Sequence, residues 1–587
     1  MAKRTKRSPK RAAAAASGSV AHSMRGSLHS YTVGALPIVN DLRARMRLEE
    51  FLQAYLTPDD PRCKLSTAKT LLVLLRNLLL SREPLYGLGE WAARYAPDLL
   101  GLSAEEVSWL NDDRAGRAAD RLFLCEIPAL VLEVLRHVVR QFQVGLDELH
   151  NDSTSVTVYG AYLTAAAEKR YLGRPTLAIT FGHNKDHRPD LKQLLYILTV
   201  SSDGGVPVHF RVQNGNTTDD QTHRDTWELL CQLTGRKDFL YVADCKLATH
   251  DNMTYIAQRQ GRFLSVLPRS RSEDAEFRRR VREGMVTGRH LEDKTDEEGQ
   301  VLDRITVANA PALTTEGFRL AWYPSTQKAA LDAAVRASQI ERALKRLGEL
   351  RQRLASPRTR YRQAAKVQQA VEEILQSCAA AECLRVTIVS REQERFRQQK
   401  PGRPGPTTPY VKTTSTRFEL HEEIDVQKMA AESQTDGVFP LVSNVTDLSE
   451  LELLHAYKRQ PTIEKRFSQL KTDFAVAPVY LKEVSRIQGL LGVYFLALLV
   501  QTLLERQLRQ AMKNRQIEHL PLYAEERPCR WPTARKLLDL FEPVQRHELT
   551  MAQAPPERLI TELSPLQRKI LSLLEIPAVS YGQPAVP

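Results

Sequence analysis

Residues Phe239–Leu267 read FLYVADCKLATHDNMTYIAQRQGRFLSVL. The first six are a short apolar run ending on Asp244, the pattern of a central strand buried on both faces of a sheet. LATHDNMTYIAQRQG has helical character, and RFLSVL is a second strand. Upstream, NDSTSVTVYG alternates and is β-branched, so it reads as a strand. LLYILTV and VPVHFRV, joined by the turn residues SSDGG, read as a hairpin. DQTHRDTWELLCQLTG is a helix stopped by Gly235. The order is three strands, helix, strand, helix, strand. Hairpins followed by β–α alternation predict an α/β fold with a mixed sheet flanked by helices.

The alternation stops at RSRSEDAEFRRR. Beyond it, Ile340, Leu344, Leu347 and Leu354 form one helical stripe. Pro357 breaks it, and Val367, Val371 and Ile374 form a second, so a helical hairpin is expected. RVTIVS, RFELHEEI and GVFPLVS are strand-like, and QQKPGRPGPTTPY (Gln398–Tyr410) is a Pro/Gly loop. Residues 270–436 therefore read as an α+β insertion between two parts of the sheet domain, 146–269 and 437–512. Residues 31–145 read as a helical domain, with Leu71, Leu74, Leu75 and Leu78 at helical spacing and a capping box at SAEE (Ser103–Glu106). It could bind DNA, although no helix-turn-helix pattern stands out. Residues 513–587 read as a helical tail containing LSPLQRKILSLLEI. Residues 1–30 open with clustered Lys and Arg, then Ala, Ser and Gly, and are expected to be a disordered basic arm.

The chain has 587 residues, 83 Lys plus Arg against 70 Asp plus Glu, and a net charge of +13. That surplus points to a polyanionic partner, nucleic acid first. Its seven Cys include no Cys-x-x-Cys pair, which argues against a zinc site or a disulfide framework and for a reducing cytosol. LLVLLRNLLL (Leu71–Leu80) and GLLGVYFLALLV (Gly489–Val500) fall short of the roughly 20 residues of a membrane span, so both are expected to be buried helices and no membrane partner is expected.

Three acids stand out. Asp152 is placed at the start of the first strand and Asp244 at the end of a central one; sites in open α/β sheets gather at strand ends. Asp at a strand end is also a common turn former. The third is Glu464, in YKRQPTIEKRFSQLK (Tyr457–Lys471). Pro461 suits a first helical turn, and Ile463, Phe467 and Leu470 make an apolar stripe that Glu464 borders. Lys471 lies seven residues on, about 20° short of two turns, so a continuous helix would give it the same face. Three carboxylates are what a pair of Mg²⁺ ions about 4 Å apart would use on a phosphodiester.

Asp152, Asp244 and the Tyr457–Glu464–Lys471 pattern resemble a bacterial insertion-sequence transposase of the DDE type, in the branch with a Tyr–Arg–Glu–Lys signature. YTVGALPIVNDL, LNDDRAGRAADRL, GHNKDHRPDLKQ, NGNTTDDQT and YVADCKLAT are similar to it as well. The resemblance implies a ribonuclease H-like core carrying an insertion before the Glu helix. It implies Asp152, Asp244 and Glu464 as catalytic residues and ligands of two Mg²⁺ ions, for which Mn²⁺ could substitute. It implies double-stranded DNA, both element ends and target, as the partner, a homodimer on that DNA, and a cytoplasmic, nucleoid-associated bacterial protein. Tyr457 and Lys471 would contact DNA near the cut strand. His183, Lys185, His187 and Arg188, in GHNKDHRPD, would line the DNA path or form a solvated charged loop. Trp322, in LAWYP, would stack on an unpaired base or sit in a core. Where the family has Arg, four residues before the Glu, this chain has Gln460; Arg459 could substitute if the backbone bends near Pro461. Two rivals share the fold: a plain DNA nuclease, and a DNA-binding protein without catalysis.

Overall fold

The computed structural model describes residues 26–582 apart from 163, 164, 166–168, 297, 311, 357, 477–480, 524, 552 and 553. Most of the expected basic arm, and the break expected at Pro357, lie outside the described residues. The chain forms two compact units. One takes the N-terminal residues to Leu130, Asp473–Ala475 and Ser485 onward; the other takes Val131–Thr472 and Val476–Val484.

The second unit holds a nine-stranded sheet. Its strands, numbered here in chain order, are β1 (Glu148–Val158), β2 (Lys192–Ser201), β3 (Pro207–Gln213), β4 (Leu240–Ala243), β5 (Arg262–Val266), β6 (Thr287–Thr295), β7 (Val301–Asn309), β8 (Arg319–Pro324) and β9 (Val438–Ser443). In space they run β3-β2-β1-β4-β5-β9-β8-β7-β6. β1, β2 and β3 are antiparallel neighbours, whereas β1–β4 and β4–β5 are parallel. That five-strand arrangement is the ribonuclease H-like core. The two parallel links run through helices α1 (His223–Thr234) and α2 (His250–Gln258). Gly235, at φ 69°, ends α1 in the left-handed region that suits glycine.

Period-two alternation explains how β4 is buried. Tyr241 and Ala243 join a core with Trp227 of α1 and Met253 and Ile256 of α2. Leu240 and Val242 face the opposite layer with Leu453 and Leu454. The latter two belong to a helix, Glu450–Lys458, that follows the insertion.

The insertion is not separate from the sheet. β6, β7 and β8 extend the same sheet beyond β9, because β8 pairs antiparallel with β9 from Arg319↔Ser443 to Pro324↔Val438. Trp322 of β8 is consequently a core residue, 1% exposed and stacked on Phe277 of helix α3 (Ser272–Arg282) with ring centroids 4.0 Å apart. This corrects its assignment to base stacking: the indole face is already covered. The expected helical hairpin is present as α4 (Thr326–Ala355) and α5 (Ala364–Ser377). These helices share a core of their own with one end of a long two-stranded ribbon, Leu384–Gln398 and Tyr410–Ile424.

The other unit differs from expectation in two respects. Gly26–Thr32 and Gln545–Met551 pair as antiparallel strands, and Ala554–Ile560 completes a three-stranded sheet. Neither the end of the basic arm nor the C-terminal region is purely helical or disordered. The two long apolar runs are buried helices, Thr67–Leu80 and Val484–Asn514. The latter is long and apolar enough to cross a bilayer, but its most apolar window is 94% buried within the protein. Its residues from Ser485 group with this unit, not with the second core segment expected over 437–512. Gly489 lies so close to Ala119 that a Cβ would meet its carbonyl oxygen at 2.0 Å.

Candidate metal centre

β1 and β4 run side by side in parallel, with Asn151 opposite Ala243. The next residue of each strand is an aspartate. Register alone therefore sets Asp152 beside Asp244 on one face of the sheet. Asp244 directly follows β4, as expected for a strand-end acid. Asp152 is internal to β1, five residues in, not at its start.

A third carboxylate joins them. Asp219, in the 3₁₀ turn that precedes α1, has an oxygen within 4.8 Å of oxygens of both Asp152 and Asp244. Ser153 Oγ donates to Asp219 Oδ1 at 2.6 Å, and Ser153 N donates to Asp152 Oδ1 at 2.7 Å. Asp219 was not singled out in the sequence, although NGNTTDDQT contains it. Its signal was a pair of acids directly before a helix, which a helix N-terminus alone also favours.

Lys185 fills the gap between two of these acids. Its Nζ lies 3.2 Å from Asp152 Oδ1 and 3.2 Å from Asp219 Oδ2, and donates to Ser153 O at 2.7 Å and Ser153 Oγ at 2.9 Å. Of the loop residues expected along the DNA path, Lys185 thus turns inward. His183, His187 and Arg188 are exposed, and Arg188 pairs with Asp190.

One ammonium among three carboxylates leaves negative charge in excess. Burial, and then the neighbouring Asp152 charge, push Asp244 up to about 6. Asp152 is raised too, by burial first, against the pull of Lys185. Half-buried, hard oxygen donors carrying surplus negative charge fit a divalent cation such as Mg²⁺.

Glu464 is on α7 (Pro461–Ser468), which follows α6 (Glu450–Lys458) after a break at Arg459 and Gln460. It is exposed and is not one of the three carboxylates within 4.8 Å of one another. Tyr457 stands near the end of α6. Burial raises the Tyr457 phenol well above its ordinary range, and the charges of Asp244, Cys245, Glu464 and Asp152 raise it further. Past α7 the chain continues as a π-helical turn, Gln469–Asp473, so the even spacing assumed between Glu464 and Lys471 is not kept. Lys471 is ion-paired with Asp186.

The α6–α7 break is anchored to the sheet. Gln460, 7% exposed, accepts from His150 Nδ1 at its Oε1 (2.8 Å) and donates through Nε2 to Asn151 O at 3.2 Å. His150 Nε2 meets Glu148 Oε1 at 2.8 Å, and Arg459 makes a two-point pair with the same Glu148. Arg459 is therefore engaged with β1. Arg466, 1% exposed, donates to Gly204 O at 2.6 Å and Gly205 O at 2.9 Å in the β2–β3 turn. Gly205, at φ 66°, would bring a Cβ within 2.5 Å of Thr462. These contacts hold Glu464's helix against β1 and the β2–β3 hairpin.

Comparison with known proteins adds four findings. Residues 147–500, more than half the chain, match the family described as transposase DDE domain. Residues 28–136 match a domain of unknown function, DUF4277. No protein with a curated description matches. Among solved structures, a piggyBac transposase synaptic complex with hairpin DNA aligns over 86% of this chain and 78% of its own, at 9% identity and a TM-score of 0.34.

Proposed function

The chain belongs to the transposase DDE-domain family, and on that premise we propose that it binds the ends of a mobile element, cuts them by metal-assisted hydrolysis and joins the freed 3′ ends to target DNA. The observation that carries this reading is the meeting of Asp152 and Asp244 on adjacent parallel strands, with Asp219 beside them.

Asp152 and Asp244 would hold the metal, with Glu464 brought in on α7. Bound there, a pair of Mg²⁺ ions, or Mn²⁺ in their place, would supply Lewis acidity toward the phosphate and toward the attacking and leaving oxygens. In the first displacement a water oxygen bonds to phosphorus, the P–O3′ bond breaks, and the 3′ oxygen leaves as a hydroxyl. In the second that hydroxyl attacks a target phosphate, and the target's own 3′ oxygen leaves. The Tyr457 phenol, kept protonated by its burial and by the surrounding acids, is a hydrogen-bond donor toward the phosphate. Lys471 and the exposed His183, His187 and Arg188 would meet the backbone nearby. Two ends must be joined in one event, so two protomers would assemble on DNA, in the bacterial cytoplasm where the nucleoid lies.

Asp244→Asn tests the reading. We expect Mg²⁺-dependent cleavage of an element-end duplex to fall by more than the roughly 10–100-fold that loss of an outer-sphere partner costs, while duplex binding in a gel-shift assay is kept. Cleavage without joining by the parent protein would indicate a plain nuclease. An unchanged Asp244→Asn variant, in a protein that binds DNA but does not cut it, would indicate a binding protein.

A further inference from the structure

The ribbon Leu384–Gln398 and Tyr410–Ile424 pairs in unbroken antiparallel register from Leu384↔Ile424 to Gln398↔Tyr410. Its near end is anchored, with Leu384, Phe418 and Leu420 buried against α4 and α5. Its far end is not. From Arg391 to Thr414 almost every residue is exposed, and the two strands belong to no larger sheet. Eight residues rising about 3.3 Å each carry this arm about 25 Å from its anchor.

Charge is sorted across the arm. Residues directly opposite in an antiparallel pair share a face. One face carries Arg391 opposite Arg417, Gln393 opposite Ser415, Arg395 opposite Thr413 and Arg397 opposite Val411. The other carries Glu392, Glu394, Phe396 and Gln398, opposite Thr416, Thr414, Lys412 and Tyr410. Both acids of the distal arm are thus on one face, and the other presents arginines with hydroxyl side chains between them. Arg391 and Lys412 are paired, with Glu419 at 3.0 Å and Glu394 at 2.5 Å. No ion pair involves Arg395, Arg397, or Lys400 and Arg403 of the tip, among the described residues.

An isolated two-stranded ribbon has little to stabilise it in water, and unpaired arginines along one face add repulsion. Both features are relieved by a polyanion lying along that face. We propose that the arginine face of this ribbon is a clamp for double-stranded DNA that grips the phosphate backbone without reading sequence. This rests on the transposase reading for the presence of DNA. The donors are guanidinium, ammonium and hydroxyl groups, which suit phosphate oxygens, and a two-stranded ribbon has the width of a DNA major groove.

The test is the full-length variant with Arg395, Arg397, Lys400 and Arg403 all changed to Gln. These are exposed positions outside the ribbon's core, and circular dichroism and a thermal melt would verify the fold. A random-sequence duplex is titrated by fluorescence anisotropy across a salt series, beside the parent protein and the Glu392→Gln, Glu394→Gln control. The quadruple variant should bind at least tenfold more weakly near 0.1 M salt. Its plot of log affinity against log salt should flatten by about 3.6, since each of the four lost phosphate contacts removes about 0.9. The control should bind as the parent does, or more tightly. Parental affinity and slope in the quadruple variant would overturn the proposal. So would a loss confined to one DNA sequence, or a change in sedimentation without a change in DNA binding. If the parent binds no duplex at all, the transposase reading falls with it; if the parent binds and cuts and the quadruple variant matches it, the ribbon proposal falls alone.

Discussion

Asp152 and Asp244 are 92 positions apart in the sequence, yet a parallel register makes them neighbours. Carboxylates so placed repel one another, and Lys185 offsets this. Its ammonium bridges Asp152 and Asp219 with two contacts of 3.2 Å. A divalent cation bound by those oxygens would compete with that ammonium for the same electrons. Lys185→Met should therefore tighten binding of Mg²⁺ or Mn²⁺ by about tenfold, equivalent to 1.4 kcal/mol, a small part of the several kcal/mol that two such charges exchange at close range. Titration of the thermal midpoint with each metal would show it, with no need for DNA or turnover. A weaker metal affinity in the variant would mean that the ammonium supports the site instead of competing for it.

Glu464 depends on where its helix lies, and the helix depends on Arg466. A guanidinium 1% exposed that donates to two turn carbonyls cannot be lost cheaply, because both carbonyls would be left without their charged donor. Arg466→Met should cost about 2–4 kcal/mol of stability, read as a fall in urea midpoint. It should reduce cleavage more than metal affinity, since Asp152 and Asp244 stay on the sheet. How legible these elements were varies with the range of the interaction behind them. The hairpin, α1, α2 and β4 follow from local alternation and caps, and they stand where FLYVAD, SSDGG and Gly235 placed them. Pairing between distant segments leaves no such mark. GSLHSYT gives no sign that it pairs with residues 545–551, and nothing in LAWYP distinguishes a strand that extends the main sheet from one in a separate insertion. The site shows the same division. Asp152 and Asp244 were visible as acids in strand-like surroundings, whereas Asp219, Lys185 and Arg466 matter through contacts that only the fold creates. Gln460 marked a departure from the family pattern, but its role became evident only with His150 beside it.

Stability of the full protein should carry a signature of one histidine buried close to this centre. His223, 2% exposed, shares a hydrogen bond of 3.0 Å with the Tyr241 hydroxyl, and its other ring nitrogen has no hydrogen-bond partner among the described residues. Burial lowers its pKa to about 4, against the smaller opposing pull of Asp219 and Asp220, while Lys185 adds to the lowering. Unfolded, the ring titrates near 6.5. Between those values the unfolded chain binds the extra proton, so its stabilisation is present above about 6.5 and is lost as pH falls toward 4. The full loss is about 3 kcal/mol at 1.36 kcal/mol per unit. Asp244, held up at about 6, acts in the opposite sense: its protonation as pH falls relieves repulsion in the fold. The parent's pH profile mixes the two, so the informative quantity is a difference. His223→Gln keeps a side chain able to bond Tyr241 but cannot take a proton. Measured by urea melts at pH 7.5, 6 and 5 without divalent metal, the gap in stability between parent and variant should shift toward the variant by about 1–2 kcal/mol over that range. A constant gap would show that the ring titrates in the fold as it does in water, and that the pocket around it opens to solvent.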